Sequence, residues 1–190
     1  MWRASVVGMD LAGLLFPSVV PRPSEISAAR VGDDLIPRAD VVMDRAFTLD
    51  APPVTVWPWL EQLGKDRAGW YLPRRVERFV PSARRANRHL APAYVGLRVG
   101  DVIPDYGGRH ATFEVAIVEP ARHLVYTSRR GHTNISWALG LTHEGAGTRV
   151  HLRLRLSPVK HRYVAAVLGG LFDALTVAGM AAGLRERLAL

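Results

Sequence analysis

The sequence predicts an α+β domain in which a curved antiparallel sheet packs against a long C-terminal helix. Three observations carry this prediction: runs of alternating apolar and polar residues after residue 100, tight turns between those runs, and a long apolar segment near the C-terminus. Alternation indicates strands with one buried face, and short turns require antiparallel neighbours. The apolar segment supplies the second layer that buries the apolar face of the sheet.

The first strand and the helix after it are marked by a change of pattern near residue 50. Residues 41–49 alternate between two faces, which is typical of a strand. The motif Asp50-Ala-Pro-Pro then suits the start of a helix, because proline is tolerated in a first helical turn. Residues 65–97 are expected to form a second, looser helical or loop region, so a helix pair follows the first strand.

Five further strands are predicted after Gly100, divided by short glycine- and proline-containing turns. Their ranges are Asp101–Tyr106, Ala111–Glu119, His123–Arg129, Asn134–Thr142 and Thr148–Leu156. In the last of them, leucines and valine alternate with Arg149, His151, Arg153 and Arg155. We therefore expect the basic side chains of this strand to face solvent and its apolar side chains to face the core.

The C-terminal segment, residues 163–184, is apolar with a single charge, Asp173. Its length would span a bilayer, but a carboxylate at mid-depth would cost roughly 2.5–3.5 kcal/mol. A stripe at helical spacing favours a helix packed inside the domain over a transmembrane helix. That stripe consists of Val164, Val167, Leu168, Leu171, Leu175 and Ala178.

Composition bounds the chemistry of the 190-residue chain. It contains no cysteine, which excludes disulfides, thiol catalysis and metal sites with thiolate ligands. No glycine-rich phosphate loop, Gly-x-Ser-x-Gly motif or His-Glu-x-x-His pair is present, and the seven histidines lie singly. We therefore expect neither a cofactor nor a metal site.

The chain is predicted to contain an N-terminal extension, residues 1–39, that is irregular or partly helical. Residues 40–190 are predicted to form a single domain. A cytoplasmic location is expected, with peripheral contact with an anionic membrane as the alternative.

Basic residues concentrate between Lys65 and His89, where eight arginines and lysines face two acids, a net charge of 8 − 2 = +6. This segment is interpreted either as a solvated arginine-rich surface or as a surface that attracts anionic lipid headgroups or an acidic ligand. Nucleic acid is not expected, because no nucleic-acid-binding motif accompanies the charge. The predicted basic patch comprises Arg74, Arg75, Arg78, Arg84, Arg85 and Arg88.

Several motifs resemble the SRPBCC family, the START-like and polyketide-cyclase-like group. The strongest is Phe47-Thr-Leu-Asp-Ala-Pro-Pro-Val-Thr-Val-Trp-Pro-Trp-Leu, followed in order by Asp66-Arg-Ala-Gly-Trp-Tyr, Val99-Gly-Asp-Val-Ile-Pro and Ser136-Trp-Ala-Leu. The resemblance covers residues 32–188. It implies a helix-grip fold, in which an antiparallel sheet of about six to seven strands wraps around the C-terminal helix and leaves a cavity between them.

Aromatic side chains lie on the segments that line this cavity in the family, and the alternative is that they only fill the core. The predicted cavity residues are Trp70, Tyr71, Tyr94, Tyr106, Phe113, Tyr126, Trp137, Phe172 and Leu175. Such walls suit a hydrophobic or aromatic small molecule, which is the expected partner.

Two functions from different classes remain open, and no residue is assigned to catalysis. The first is a non-catalytic carrier or sensor of a hydrophobic lipid, polyketide-like or aromatic molecule. The second is a cyclase, aromatase or lyase that acts in the same cavity. A third, weaker alternative is peripheral binding to an anionic membrane or to a protein partner through the arginine-rich residues 65–89. Titratable candidates are Glu114, Asp105, Tyr106, Tyr126 and Arg153. Alternation places Glu114 and Arg153 on the outer face of the sheet, away from the cavity. No acid–base pair is therefore predicted inside the cavity, which favours the carrier.

Overall fold

Six antiparallel strands form one sheet in the computed structural model, which describes residues 11–189. The order across the sheet is β1-β6-β5-β4-β3-β2. The strands are β1 (Val41–Leu49), β2 (Val102–Pro104), β3 (Thr112–Glu119), β4 (His123–Arg130), β5 (Thr133–Glu144) and β6 (Gly147–Ser157). The predicted strands are confirmed, with ends that differ by one or two residues.

The helices are α1 (Leu11–Leu15), α2 (Pro23–Ser27), α3 (Pro53–Glu61), α4 (Arg74–Glu77), α5 (Arg162–Val164) and α6 (Gly170–Leu188). Apart from the nine-residue α3 and the C-terminal α6, the helices are no longer than five residues. A π-helical turn, Ala165–Gly169, joins α5 to α6, so residues 162–188 form one continuous terminal helix. In the helix pair predicted after β1, the second member is only the four-residue α4 within an irregular segment.

The inner face of the sheet packs against the terminal helix. Leu139 of β5 pairs in register with Leu152 of β6, and Leu141 with Val150. All four side chains are buried in one continuous core. The period-2 pattern of the sequence therefore sorts these apolar residues onto one face, as expected.

The opposite, outer face of β6 is covered by the N-terminal extension. The Arg153 side chain is only 5% exposed and donates hydrogen bonds to Asp44 Oδ1 (2.7 Å), Asp33 Oδ2 (2.9 Å) and the backbone oxygen of Ile26 (2.8 Å). Arg149 binds both carboxylate oxygens of Glu25 at 2.8 Å. The prediction that these arginines face solvent was wrong, because a polar face can be buried when another segment of the chain supplies its acceptors.

The terminal helix presents a different face to the sheet from the one predicted. Ala174, Val177, Ala181 and Leu184 are at most 2% exposed, whereas Leu168 is 64% exposed. Small residues allow the helix to approach the strands closely. Because the helix is apolar almost all round, its sequence does not distinguish the buried stripe from the exposed one.

Residues 162–188 are long and apolar enough to cross a membrane, judged by length and composition only, and an 18-residue window within them has a mean hydropathy of 1.8. In the folded chain this helix contacts β1 and contributes Met180 and Leu184 to the core. Its place against the sheet agrees with the prediction of a packed helix.

Candidate functional site

Five of the predicted cavity residues meet in one aromatic cluster between the inner face of the sheet and the terminal helix. Trp137 is central to it: its ring stacks on Tyr126 at 5.7 Å between centroids and on Trp70 at 6.1 Å. Phe113 contacts Trp137 at 6.0 Å, and Tyr106 meets Trp70 edge-on at 6.5 Å. This aromatic cluster offers flat apolar surfaces with a few polar edges.

One end of the inner face remains accessible. Trp137 pairs in register with Leu154, and both are only partly buried. The next pair along the same two strands, Leu139 and Leu152, is buried to 1% and 2% exposure. The inner face is therefore sealed around Leu139 and open to a neighbouring molecule around Trp137.

Trp70 reaches the aromatic cluster from the irregular segment after α3. Its indole nitrogen donates a 3.1 Å hydrogen bond to the backbone oxygen of Thr176 on α6. The preceding Gly69 has φ +84°, and a Cβ atom there would lie 2.9 Å from the Cα of Ala86. Only glycine fits this backbone conformation and close approach, which fixes the direction from which Trp70 enters.

The remaining predicted cavity residues lie elsewhere. Tyr71 is fully buried in the core, where its hydroxyl donates to the Trp59 carbonyl at 2.8 Å. Tyr94 lies beneath the Arg67 guanidinium, 5.4 Å from the ring centroid. Phe172 and Leu175 lie on the helix face opposite Ala174 and Val177, and they are 69% and 54% exposed. Their placement on a cavity wall was wrong, because the helix is rotated relative to the predicted stripe.

Neither of the two concavities described for residues 11–189 coincides with the predicted cavity. A groove of about 390 Å³ lies on the outer face of the sheet, where Ile36, Thr112, Glu114 and Asn134 line it. A second concavity, of about 360 Å³, lies among the arginines around α4. Both are separate from the aromatic cluster, whose rings fill the space between sheet and helix by stacking on one another.

Asp173, the single charge of the predicted apolar C-terminal segment, has a largely buried side chain that faces Arg45 of β1. Burial raises its pKa to about 6, although the Arg45 guanidinium acts in the opposite direction. Arg45 Nε lies 3.1 Å from Asp173 Oδ2, but the two atoms lack the alignment of a hydrogen bond. Arg45 instead donates to the carbonyl of Gly170 at 2.7 Å. Asp173 thus retains an unsatisfied carboxylate oxygen next to the π-helical turn.

The other titratable candidates do not combine into a catalytic pair. Glu114 is exposed on the outer face, as predicted, and Asp105 pairs with Arg130. Burial raises the pKa of the Tyr126 hydroxyl, and the same effect acts on Tyr106. Both phenols are therefore neutral hydrogen-bonding groups at physiological pH. Among residues 11–189, no three histidine, aspartate or glutamate side chains converge as a metal site would require.

The profile of the family described as "Polyketide cyclase / dehydrase and lipid transport" matches residues 40–189. The chain belongs to this family. The match spans the whole sheet and the terminal helix, so the polyketide cyclase/dehydrase and lipid transport family accounts for the helix-grip architecture and confirms the SRPBCC resemblance.

Solved structures with a similar chain course include the following three. CalU16 from Micromonospora echinospora is 20% identical, covers 78% of this chain and 83% of its own, and has a TM-score of 0.43. SSP2350 from Staphylococcus saprophyticus is 18% identical, with coverages of 78% and 92% and a TM-score of 0.47. The Aha1 dimer from Colwellia psychrerythraea is 16% identical, with coverages of 77% and 98% and a TM-score of 0.44. Similarity at this level carries no functional conclusion, and a search of curated proteins finds no match.

Proposed function

We propose that this protein binds a hydrophobic, planar small molecule at the aromatic cluster and that it does so without catalysis. The single observation that carries the proposal is the partly buried stack of Trp70 on Trp137 at the open end of the inner face. A large apolar ring surface covered by a single neighbouring indole suits an aromatic or polyketide-like guest that can take the place of that indole. Family membership supports the same class of ligand.

Binding requires the Trp70 side chain to move away from Trp137, because the two rings occupy the space that a guest would fill. The contact holding Trp70 against the helix is one hydrogen bond to the Thr176 carbonyl. Such a bond has a modest net value of about 0.5–1.5 kcal/mol, so a planar guest that stacks on Trp137 can replace it. Trp70 then acts as the movable wall of the site, and Tyr126 as the fixed wall.

The polar groups of the aromatic cluster favour a carrier over an enzyme. Its two phenols, Tyr106 and Tyr126, have pKa values raised by burial, so they remain protonated at neutral pH. A protonated phenol donates a hydrogen bond to a carbonyl or hydroxyl of a guest but does not remove a proton from it. The cluster itself therefore recognises a ligand without supplying a base.

Fluorescence titration with N-phenylnaphthylamine, a neutral planar probe, tests this proposal. Wild-type protein should enhance the emission of the probe. Trp137→Ala should weaken binding by about tenfold, because stacking of the probe on an aromatic ring contributes roughly 1 kcal/mol or more. Phe79→Ala is the matched control, because Phe79 is 77% exposed and lies outside the aromatic cluster. Native mass spectrometry of the purified protein would identify a co-purified guest. Equal probe binding by the wild type and Trp137→Ala would refute the site.

A second candidate function is a cyclase-like reaction, and Asp173 is the observation that favours it. Its pKa of about 6 keeps a mixture of acid and base forms near neutral pH, as general acid–base catalysis requires. Asp173 lies one helical turn before Thr176, where Trp70 contacts the helix. Turnover of a linear poly-β-ketone by the wild type, lost in Asp173→Asn while N-phenylnaphthylamine binding persists, would establish this function. Absence of turnover by the wild type would leave the carrier function alone.

A further inference from the structure

The arginines around α4 line a concavity of about 360 Å³. We call it the basic pocket. Its lining residues are Arg74, Glu77, Arg78, Arg85, Ala86 and Arg88. Four arginines and one glutamate thus contribute to the wall of one space.

That carboxylate is already fully engaged. Glu77 accepts a 2.6 Å hydrogen bond from Arg187 on one oxygen and a 2.6 Å bond from Arg88 on the other. Burial opposes ionisation of Glu77, but the two guanidinium hydrogen bonds outweigh it, so its pKa lies below the ordinary value. Glu77 therefore neutralises the charge of the buried Arg187 and part of the charge of Arg88. It does not balance the charges of the other arginines of the basic pocket.

The nearest other acid is Glu186, at the rim of the basic pocket. One of its oxygens accepts the backbone N–H of Arg74 at 2.8 Å and approaches Arg88 at 3.4 Å. The side chains of Arg74 and Arg78, by contrast, have no carboxylate partner among residues 11–189, and both are exposed. Arg74 and Arg78 therefore add uncompensated charge beside the basic pocket, where the guanidinium of Arg78 lies 4.6 Å from the ring centroid of Phe79.

A third guanidinium is already oriented by the backbone. Arg85 donates from Nε to the carbonyl of Val80 at 2.9 Å and from Nη2 to the carbonyl of Arg78 at 3.3 Å. These bonds fix the plane of Arg85 and leave its Nη1 group without a partner among the described residues. Ordering a guanidinium in advance lowers the entropic cost of binding an anion.

We propose that the basic pocket binds a phosphate group, held by Arg74, Arg78 and Arg85 and closed on its inner side by Arg88. A phosphate offers several strong acceptor oxygens and up to two negative charges, which matches several guanidinium forks better than a single carboxylate does. The proposal is independent of the aromatic cluster. It also gives the predicted basic patch a specific function, through four of its six arginines.

Isothermal titration with inorganic phosphate tests the site directly. Wild-type protein should bind phosphate, and affinity should fall as salt is raised because the contacts are ionic. The double variant Arg74→Gln/Arg78→Gln should bind at least about tenfold more weakly, since each removed contact is a charge-assisted hydrogen bond. Neither side chain bonds to the rest of the described chain through a carboxylate, so the variant should keep the wild-type melting temperature.

The matched control is Arg38→Gln/Arg122→Gln, which removes the same charge from exposed arginines outside the basic pocket. This control should bind phosphate as the wild type does. Equal losses in both double variants would show that only net charge matters and would overturn the site. Failure of the wild type to bind either phosphate or the vesicles described next would also overturn it.

The source of the phosphate group is separated by a second arm with phosphatidylcholine vesicles, with and without phosphatidic acid. Cosedimentation only with the phosphatidic acid vesicles, lost in Arg74→Gln/Arg78→Gln, assigns the group to a lipid headgroup. Binding of free phosphate alone assigns it to a soluble phosphate compound. In both cases N-phenylnaphthylamine binding should be unchanged in the double variant, so the test is distinguishable from that of the aromatic cluster.

Discussion

Trp70 and Trp137 stack at 6.1 Å between ring centroids, although one lies in the irregular segment after α3 and the other on the central strand β5. The stack joins the sheet to the terminal helix, because the indole of Trp70 also donates to the Thr176 carbonyl. At this point the sheet and the terminal helix are joined by side chains rather than by backbone contacts.

Replacement of Trp70 by alanine should open the site while weakening the fold. Loss of the aromatic contact and of one hydrogen bond should cost about 1–3 kcal/mol of unfolding free energy, measured by urea denaturation. The same variant should bind N-phenylnaphthylamine with a faster association rate in stopped-flow experiments, because a guest no longer displaces an indole. Trp70→Phe serves as the control that keeps stacking but removes the hydrogen bond. A slower association rate in Trp70→Ala would contradict the role of Trp70 as the movable wall.

The buried Asp173 should produce a pH dependence of stability in an unusual direction for an acid. Its folded pKa, raised by burial to about 6, lies above the ordinary value of 3.8, so the folded state binds a proton more readily than the unfolded state. Stability should therefore rise as pH falls through 6, and this gain should be complete below the unfolded value. Arg45 and Asp44 of β1 act on the same carboxylate.

Thermal denaturation at several pH values between 7 and 5 provides the measurement. The wild type should gain stability relative to Asp173→Asn over this range. A difference between the two proteins that does not vary with pH would mean that Asp173 is ionised throughout.

The strands were predictable because a period of two residues is a local property of the sequence. Period-two alternation puts Val150, Leu152 and their partners on β5 on the same face of the sheet, whatever the position of the other segments of the chain. Which face of the terminal helix is buried was not predictable, since Val164 and Val177 are equally apolar but only Val177 meets the sheet. That choice depends on the shape of the sheet, which the helix sequence does not contain.

Non-local contacts explain the other differences. The acceptors that bury Arg153 come from residues 25–44, more than a hundred positions away in the chain. That the aromatic residues of the cluster lie close together could be predicted only from the family resemblance. Asp173 would have been found by asking which charge in an apolar helix has a partner on β1, and Arg45, an inward-facing arginine in a strand, was the available signal.

Substitution of Arg153 by leucine should destabilise the protein strongly. The side chain satisfies two carboxylates and three backbone oxygens between β1 and the N-terminal extension. Its loss leaves Asp44, whose side chain is 8% exposed, without its guanidinium partner, at a cost of about 3–5 kcal/mol. Urea denaturation measures this loss, and Arg122→Leu, at an exposed position, is the control. A cost below that of the control would show that the extension does not stabilise the outer face.

Substitutions of apolar residues on the exposed face of the terminal helix should change the free energy of unfolding very little. Leu168 and Leu175 are 64% and 54% exposed, so serine at either position removes little buried area and should change the unfolding free energy by less than about 0.5 kcal/mol. Val177 is 2% exposed on the same helix, and Val177→Ser should cost about 2–4 kcal/mol because it buries an unpaired hydroxyl and leaves a void. Thermal and urea denaturation of the three variants at low protein concentration distinguish the two faces. A large loss for Leu168→Ser would show that this face is covered in solution, which would place a second interface on the helix.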